Sequence, residues 1–408
     1  MESTRAGTAP NDPTVTSIIG DSPAPPPTSQ LAPAQDELTP EAFALLVKKL
    51  VLHPSTFTLD DVRLAFTHLA HPNAAHPSQV GAFLSALRLT AKDGQPEVVA
   101  AVAQVMRSHA LDVDVGHHGD GPVCDIVGTG GDGHNTFNVS TTAAIVAAGA
   151  GLRVYKHGNK AATSSSGSAD ILLSLGCPVT TLPPSSLSSV AARSPFLFLF
   201  APSYHPAMVR VAPIRKQLAF PTVFNALGPL INPARPGAMI VGVHSAYLGD
   251  VFAEALRLTG VKRAWVVCGA EGLDEISPAG ETHVWDLDND TITRRTVHPR
   301  DFGLSPTPLS SVAGGTPLDN SLTLTSLLDG HLARDSPIET FVVLNAAALL
   351  VVSGKARDER EGVEMARTSI AEGGAKRALE AFREAGQEAV RRAAEEEEEA
   401  AERAKASA

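Results

Sequence analysis

The sequence predicts an α/β protein in which a small all-helical N-terminal domain precedes a larger α/β domain with a mostly parallel central sheet. Up to about residue 110, apolar residues recur only at helical spacing. After a loop rich in His, Asp and Gly at 116–122, short apolar runs alternate with Ala- and Leu-rich helical stretches, which is typical of a parallel sheet covered by helices. With 408 residues and 43% hydrophobic content, the chain can bury a core of that size.

Ordered structure is predicted to begin near residue 37. Residues 1–36 are rich in Pro, Ser, Thr and Ala, and such a segment cannot offset its ordering entropy by burial, so we predict a disordered tail. Thr39, Pro40 and Glu41 then supply an N-cap, a proline at the first helical position and an acidic first turn. Three further helices of this domain are predicted at 59–70, 78–91 and 96–109.

The α/β domain is predicted from short apolar runs bounded by polar or glycine-rich segments. Strands are expected at 123–127, 152–155, 196–200 and 264–268, with a helix at 140–149 between the first two. The charged segment 358–408 is predicted to form one long helix that frays into a tail. The predicted boundaries are therefore 1–36 for the disordered tail, 37–110 for the helical domain, 122–380 for the α/β domain and 381–408 for the charged helical tail.

Charge and composition disfavour several classes of protein. The net charge of −11 argues against a nucleic-acid-binding surface, which needs clustered Lys and Arg, although the run Glu395–Glu399 supplies much of that charge. Cys124, Cys177 and Cys268 are too few and too scattered for a disulfide framework or a closed zinc site. No stretch approaches the ~18 consecutive apolar residues of a membrane span, and no signal or transit pattern is present. We therefore expect a cytoplasmic protein with no membrane or nucleic-acid partner.

A glycine-rich loop, GTGGDG at 128–133, directly follows the first predicted strand. It satisfies the G-x-G-x-x-G pattern, but a dinucleotide fold also needs an acidic residue about 20 positions later, and none lies between Asp132 and Asp170. A Walker A loop is excluded because no Gly-Lys-Ser/Thr follows at the right distance. The loop instead predicts an anion cradle of backbone N–H groups at a helix N-terminus. The hydroxyl and amide cluster at 138–142 favours this interpretation, and an ordinary N-cap is the simpler alternative.

A second polar segment, KHGN at 156–159, ends the next predicted strand. Open α/β sheets bind ligands at the carboxyl ends of their strands, so this lysine and the glycine loop are expected to lie on the same edge. Small hydroxyl residues follow at 163–166 and suit a polyanionic ligand that needs many donors and little bulk. A flexible surface loop is the simpler alternative for these serines.

Taken in order, these motifs resemble the phosphoribosyl-diphosphate site of the anthranilate phosphoribosyltransferases. The resemblance rests on GTGGDG at 128–133, NVST at 138–141, KHGNKAATSSSGSAD at 156–170, VFNALGPLINP at 223–233 and GLDE at 272–275, and it covers about residues 37–380. It implies that the helical domain is joined by helices around 203–220 and that the α/β domain binds phosphoribosyl diphosphate. It also implies a homodimer that transfers the phosphoribosyl group of 5-phosphoribosyl 1-diphosphate to the amine of anthranilate, in tryptophan biosynthesis.

The resemblance also implies roles for individual residues. The positions that match the family's phosphoribosyl-diphosphate site are Gly128, Gly131, Asp132, Thr136, Asn138, Ser140, Thr141, Lys156, His157, Gly158, Asn159, Ser164 and Ser168. Gly128, Asn159 and Arg215 match the anthranilate contacts, and an arginine fork suits a carboxylate. Ser140, Asp274 and Glu275 match the ligands of Mg²⁺, which prefers oxygen donors and takes one or two carboxylates plus substrate phosphates. No residue is assigned as a catalytic acid or base.

The sequence departs from the common family pattern at three positions. Lys160 and Ser165 stand where many members have arginine and lysine, and Pro221 replaces a frequent basic residue. The changes at Ser165 and Pro221 remove positive charge near the phosphate loop, so they bear on the tightness of diphosphate binding.

Two other functions fit parts of the pattern. A pyrimidine-nucleoside phosphorylase would share the fold and the phosphate loop, but the block at 223–233 and the pair at 274–275 favour the transferase. A non-catalytic relative that binds nucleic acid would need a basic groove, which the acidic net charge disfavours.

Overall fold

The structure is a computed structural model that describes residues 38–116, 121–161 and 164–407. The tail predicted at 1–36 lies outside the described residues. The α-helices of the described part are α1 (Pro40–Leu52), α2 (Leu59–Ala70), α3 (Pro77–Leu89), α4 (Pro96–Ser108), α5 (Val139–Gly149), α6 (Ser168–Ser174), α7 (Leu187–Ala191), α8 (Ala201–Tyr204), α9 (Pro206–Leu218), α10 (Ala246–Leu258), α11 (Pro317–Leu328), α12 (Pro337–Val352), α13 (Glu359–Ala371) and α14 (Gly374–Ala406). Its strands are β1 (Val123–Gly128), β2 (Arg153–Gly158), β3 (Phe196–Phe200), β4 (Ala238–Gly242), β5 (Arg263–Gly269), β6 (Thr282–Asp288) and β7 (Thr291–Val297).

Helix α1 begins where the sequence predicts. The hydroxyl of Thr39 accepts a hydrogen bond from the backbone N–H of Ala42 at 3.2 Å, and Pro40 occupies the first helical position. The helix buries Phe43 and Leu50 at helical spacing against the rest of the bundle. Local capping and periodicity were therefore sufficient to place this element.

The strands form one sheet in the order β3-β2-β1-β4-β5-β6-β7. The five strands from β3 to β5 pair in parallel, and β6 and β7 extend the sheet as an antiparallel hairpin. The prediction of a helical domain beside an α/β domain with a mostly parallel sheet is confirmed. The hairpin was not predicted, because its strands alternate in burial and carry polar residues on one face.

Two layers of helices cover the sheet. On β4, Ile240 belongs to the core on the side of α5 and α12, whereas Met239 and Val241 belong to the core on the side of α10 and the helical bundle. Helix α4 packs against α10, so the bundle joins the sheet through a shared apolar core. The site at the edge of the sheet is therefore built on packed elements.

The C-terminal charged segment differs from the single helix predicted at 358–408. Helices α13 and α14 are separated at Gly373, whose φ of +72° is a left-handed conformation that favours glycine. The first half of α14 buries small and apolar side chains such as Ala378 and Phe382, whereas the acidic run 395–399 is exposed. Across the described ranges, no helix has both the length and the apolar character needed to cross a membrane.

Candidate active site

The site lies at the carboxyl edge of the sheet, where β1 and β4 are neighbours. Gly128 at the end of β1 is paired with Gly242 at the end of β4, and the N–H of Thr129 donates to the Gly242 carbonyl at 2.9 Å. Strands β2 and β3 lie on one side of β1, and β4 and β5 lie on the other. The strand order reverses at this point, and ligands of open α/β sheets bind at such a switch point.

A cavity of about 540 Å³ opens at this edge. Its walls are the glycine loop, the start of α5, the serine loop at 164–166 and the acidic turn that follows β5. The predicted site residues that line it are Gly131, Asp132, Thr136, Asn138, Ser140, Ser164, Asp274 and Glu275. The fold therefore brings together four segments that are far apart in sequence.

Asp274 is held directly against the glycine loop. Its Oδ2 accepts a hydrogen bond from the backbone N–H of Gly130 at 2.6 Å. A Cβ added at Gly128 or Gly242 would overlap Asp274, so both strands must end in glycine for the acidic turn to approach. One amide of the predicted anion cradle is thus directed at a protein carboxylate.

The acidic pair is buried, although the sequence alone left a solvated turn open as the alternative. Asp274 and Glu275 are each 8% exposed. Burial raises the pKa of Asp274 to about 7, and the nearby Asp132 contributes in the same direction. Burial, reinforced by repulsion from Asp274, also raises the pKa of Glu275 well above its ordinary value. Carboxylates held together in this way are favoured when a cation lies between them.

The donor set of this cluster fits Mg²⁺. The Ser140 hydroxyl and the carboxylates of Asp274 and Glu275 line the same cavity, so the side-chain atoms around the acidic pair are hard oxygen donors. In the described residues, no group of three or more His, Cys, Asp and Glu side chains is placed to hold a metal ion. Such an incomplete set is what Mg²⁺ accepts, because it retains waters and completes its shell with substrate phosphates.

Lys156 is the only buried lysine or arginine among the described residues, with 1% exposure. Its Nζ donates to the Ile126 carbonyl and to the Ser140 hydroxyl, the latter at 3.3 Å. Burial lowers the pKa of Lys156, and the carboxylates of Asp125 and Glu275 oppose that shift. The lysine therefore lies between two acidic groups, one on β1 and one at the cavity.

Asp125 on β1 and Asn232 in the loop before β4 are buried near this lysine, and sequence reasoning did not single them out. Asn232 donates from Nδ2 to Asp125 Oδ2 and to the Tyr155 carbonyl, both at 2.8 Å. Burial raises the pKa of Asp125 to about 6, and the positive charge of Lys156 opposes the shift. The signal in the sequence was a charged residue inside the apolar strand at 123–127, because a buried charge requires a partner.

The residues predicted to contact anthranilate lie on other elements. Arg215 is half-buried on the last turn of α9, with its guanidinium 5.2 Å from the ring centroid of Phe224 and 3.5 Å from Asn225 Oδ1. Asn159 is exposed directly after β2. An arginine held by a ring and an amide keeps further N–H groups for a carboxylate.

A buried histidine pair connects the end of β2 to the start of α9. The Nε2 atoms of His157 and His205 are 3.2 Å apart, and His157 Nδ1 lies 3.1 Å from the Gly228 carbonyl. Burial lowers the pKa of His157 to about 3 and that of His205 to about 4, so both rings are neutral near pH 7. The pair can orient groups by hydrogen bonding, but it does not provide a charged acid at that pH.

Three other predicted residues do not line the cavity. Thr141 is fully buried, and its hydroxyl has no hydrogen-bond partner within the described ranges. Ser168 begins α6 and packs closely against Gly158, where an added Cβ would lie 3.3 Å from the Ser168 Cβ. These positions shape the backbone around the cavity.

The chain matches two parts of one protein family. The helical bundle domain of a glycosyl transferase family matches residues 45–110, and the a/b domain of a glycosyl transferase family matches residues 120–376. The fold and the site therefore define a two-domain glycosyl transferase.

Curated relatives and solved structures identify the family more closely. The anthranilate phosphoribosyltransferase of Schizosaccharomyces pombe is 49% identical over 308 residues, which are 76% of this chain and 87% of the relative. That of Haloferax volcanii is 45% identical over 311 residues, 76% of this chain and 91% of the relative. The chain belongs to the anthranilate phosphoribosyltransferase family, as the sequence motifs predicted.

Solved structures agree with this assignment. The Saccharomyces cerevisiae enzyme in complex with PRPP and Mg superimposes with a TM-score of 0.80 at 35% identity, covering 86% of this chain and 99% of that chain. The Thermus thermophilus enzyme gives a TM-score of 0.76 at 37% identity, covering 84% and 99%. The helical domain and the α/β domain are therefore shared with these enzymes.

Proposed function

We propose that this protein transfers the phosphoribosyl group of 5-phosphoribosyl 1-diphosphate to the amine of anthranilate, which releases diphosphate, as a step of tryptophan biosynthesis. The observation that carries the proposal is the cavity at the switch point of the sheet, which is walled by the glycine loop and the buried pair Asp274–Glu275. The buried Lys156 lies behind it and donates to Ser140 of the cavity wall. A polyanionic substrate and a divalent cation together account for that combination of charges.

The chain's own residues bind and orient the diphosphate as negative charge develops on it. The bond between ribose C1 and the diphosphate breaks, and backbone N–H groups of the glycine loop and the charge of Lys156 stabilise the departing group. Asp274, Glu275 and Ser140 would hold Mg²⁺. The ion would neutralise charge on the diphosphate oxygens when bound.

The acceptor needs positioning more than activation. The aromatic amine of anthranilate is weakly basic and carries its lone pair at neutral pH. Arg215 binds the carboxylate of anthranilate, with Asn159 and Gly128 beside it, so that the amine is held toward ribose C1. The neutral pair His157–His205 supports the wall of this half of the site. Holding both substrates in one geometry can supply several kcal/mol of the barrier.

The proposal is tested by following the loss of anthranilate fluorescence in the presence of phosphoribosyl diphosphate, with and without Mg²⁺. The wild-type protein should consume anthranilate only when Mg²⁺ is present. The double variant Asp274→Asn/Glu275→Gln should lose most of that activity, because it keeps the side-chain shapes and removes the charges.

A matched control removes carboxylates elsewhere in the chain. Asp286→Asn on β6 and Glu359→Gln on α13 lie in ion pairs with Arg295, and this double variant should retain the wild-type rate. If well-folded wild-type protein consumes no anthranilate, the transferase function is wrong, and release of a free base from a pyrimidine nucleoside with inorganic phosphate would then identify a phosphorylase.

The assembly and location that we propose are a homodimer in the cytoplasm. The helical domain carries an apolar groove between α1 and α3, and Val51 and Leu52 are more than half exposed there. Burial of such aliphatic side chains in a second copy supports association. Sedimentation of the wild type and of Leu52→Glu distinguishes a dimer from a monomer, and fractionation of cells locates the protein.

A further inference from the structure

A segment that follows β7, residues 312–320, runs beside residues 135–137, which join the glycine loop to α5; we call it the clip. The N–H of Phe137 donates to the Val312 carbonyl at 2.9 Å, and the N–H of Gly314 donates to the Asn135 carbonyl at 2.8 Å. Thr136 and Ala313 form an antiparallel bridge between these bonds. A Cβ at Gly314 would overlap the Thr136 carbonyl, so the two backbones are in direct contact. The clip thus supports the outer side of the loop proposed to bind diphosphate.

Asn320, on the first turn of α11, joins the clip to the start of α5. It is 3% exposed; its Oδ1 accepts from the Gly315 N–H at 2.8 Å, and its Nδ2 donates to Asn138 Oδ1 at 2.8 Å. Asn138 in turn donates from Nδ2 to the Ser166 carbonyl at 2.9 Å. Both polar ends of the Asn138 side chain are therefore used by the protein, and they link the clip to the serine loop at 164–166.

A second asparagine makes a parallel connection at the surface. Asn135 Nδ2 donates to the Gly314 carbonyl at 3.1 Å, and Asn135 Oδ1 accepts from the N–H of Ser165 at 3.2 Å. The Ser165 hydroxyl also donates to Asn135 Oδ1 at 2.7 Å. Residues 135–138, which follow the glycine loop and line the cavity, are thus tied by asparagine amides to the clip and to the serine loop.

We propose that Asn320 is a positioning residue for phosphoribosyl diphosphate: through Asn138 it fixes the serine loop relative to the glycine loop before the substrate arrives. This inference rests on the proposed function of the cavity. Asn320 does not line the cavity, so it acts through Asn138. Loops that are already in the binding geometry lose less conformational entropy when the ligand binds. These connections are hydrogen bonds from neutral amides, so the clip holds the loops around the cavity in place without adding charge.

The direct test is calorimetric titration of the full chain with phosphoribosyl diphosphate and Mg²⁺, which measures affinity without turnover. Asn320→Ala should weaken binding by about tenfold, because it leaves the partly buried Asn138 Oδ1 without its donor. The control is Thr325→Ala on the same helix, whose hydroxyl bonds only to the Ser321 carbonyl of α11. This control should bind within twofold of the wild type.

A double-mutant cycle separates positioning from a general loss of structure. Asn138→Ala and Asn138→Ala/Asn320→Ala should bind with nearly the same affinity, because the bond to Asn138 is the direct contact of Asn320 with a residue that lines the cavity. In steady-state assays, Asn320→Ala should raise the KM for phosphoribosyl diphosphate and leave the KM for anthranilate within twofold. Additive effects of the two substitutions, or equal rises in both KM values, would overturn the inference.

A further variant covers the case in which Asn320→Ala does not fold. Asn135 is exposed, so Asn135→Ala removes the parallel link without opening a buried site, and it should also weaken phosphoribosyl-diphosphate binding severalfold. Binding within twofold of the wild type would overturn the role of these amide links. If the wild type binds phosphoribosyl diphosphate but consumes no anthranilate, the proposed reaction fails, and the affinity ratios still decide the role of Asn320.

Discussion

The two halves of the candidate site use charge in opposite ways. On the diphosphate side, the charged groups Lys156, Asp274 and Glu275 are all buried. On the acceptor side, Arg215 is half-exposed at the end of a helix, and the buried histidine pair is neutral. Burial of an uncompensated charge costs desolvation free energy. Binding of the charged substrate and its cation can offset that cost on the diphosphate side.

The two halves of the site also lie on different parts of the fold. The diphosphate side is built on the ends of β1 and β2 and on the start of α5, all packed in the core of the sheet. Arg215 lies near the end of α9, whose packing is with α2 and α3 of the helical bundle. A polyanion needs many fixed donors, whereas an aromatic acid needs one fork and an apolar wall. The sheet therefore supplies the first and the bundle the second.

The largest effect is expected from breaking the buried charge pairing on the diphosphate side. Lys156→Met keeps the length and most of the volume of the side chain but leaves Asp125 and Glu275 without their cation. Removal of the charge that compensates buried carboxylates costs up to about 3–5 kcal/mol. We expect the free energy of unfolding, measured by urea denaturation at pH 7, to fall by that amount.

The nearby Lys160 provides the control, because it is exposed after β2. Lys160→Met should change the free energy of unfolding by no more than about 0.5 kcal/mol. Equal stabilities of Lys156→Met and the wild type would contradict the importance of charge pairing in this half of the site.

The next largest effect is expected on the acceptor side, in binding rather than in stability. Arg215→Ala should raise the KM for anthranilate by about 30-fold, since hydrogen bonds to charged groups contribute about 1.5–3 kcal/mol. The KM for phosphoribosyl diphosphate should stay within twofold. Initial rates with each substrate varied in turn measure both values. Lys216→Ala, one residue further along α9 and exposed, is the control that should leave both unchanged.

On the diphosphate side, the sequence could predict the contiguous motifs but not the contacts between distant positions. The glycine loop, Lys156 and the acidic pair are contiguous motifs, and a strand followed by glycines already places them at one edge of a sheet. The link from Asn320 to Asn138 spans 182 positions, and no local pattern reports a pairing of that separation. The same holds for Asn345, which donates to and accepts from the backbone of Ile276 directly after the acidic pair.

Two of the buried polar residues can nevertheless be recognised in the sequence. Asn345 interrupts the apolar run of α12, and Asp125 interrupts that of β1. Because buried polar groups are almost always hydrogen-bonded, each such residue predicts a partner, although not which one. The antiparallel hairpin β6–β7 was missed for the opposite reason, since its half-exposed strands lack a continuous apolar run.

A smaller effect concerns the neutral histidines, which should make the folded state sensitive to acid. Their pKa values, about 3 and about 4, lie below the ordinary value of about 6.5. The unfolded chain therefore binds more protons, and stability that is present above pH 6.5 is lost as the pH falls toward the folded pKa values. Each histidine should remove about 1 kcal/mol between pH 7 and pH 5.5.

Urea denaturation at the two pH values tests this contribution. The difference in unfolding free energy between pH 7 and pH 5.5 should shrink in His205→Gln. It should not change in His53→Gln, whose side chain is exposed and therefore in contact with water in both states. A wild-type difference that His205→Gln leaves intact would show that groups other than this histidine control the acid response.

The smallest effect is expected where this chain departs from its family on the diphosphate side. Lys160→Arg introduces the residue that the sequence resemblance implies here, but it leaves the charge unchanged, and at this exposed position solvent screens the difference between the two cations. We expect the KM for phosphoribosyl diphosphate to fall by no more than about threefold, which is within the ~1 kcal/mol that exposed ion pairs contribute. The assay should be run at low and high ionic strength, because the gain should disappear in high salt. A tenfold gain that persists in salt would mean that the exposed rim, and not the buried pairing at Lys156, sets the affinity for the diphosphate.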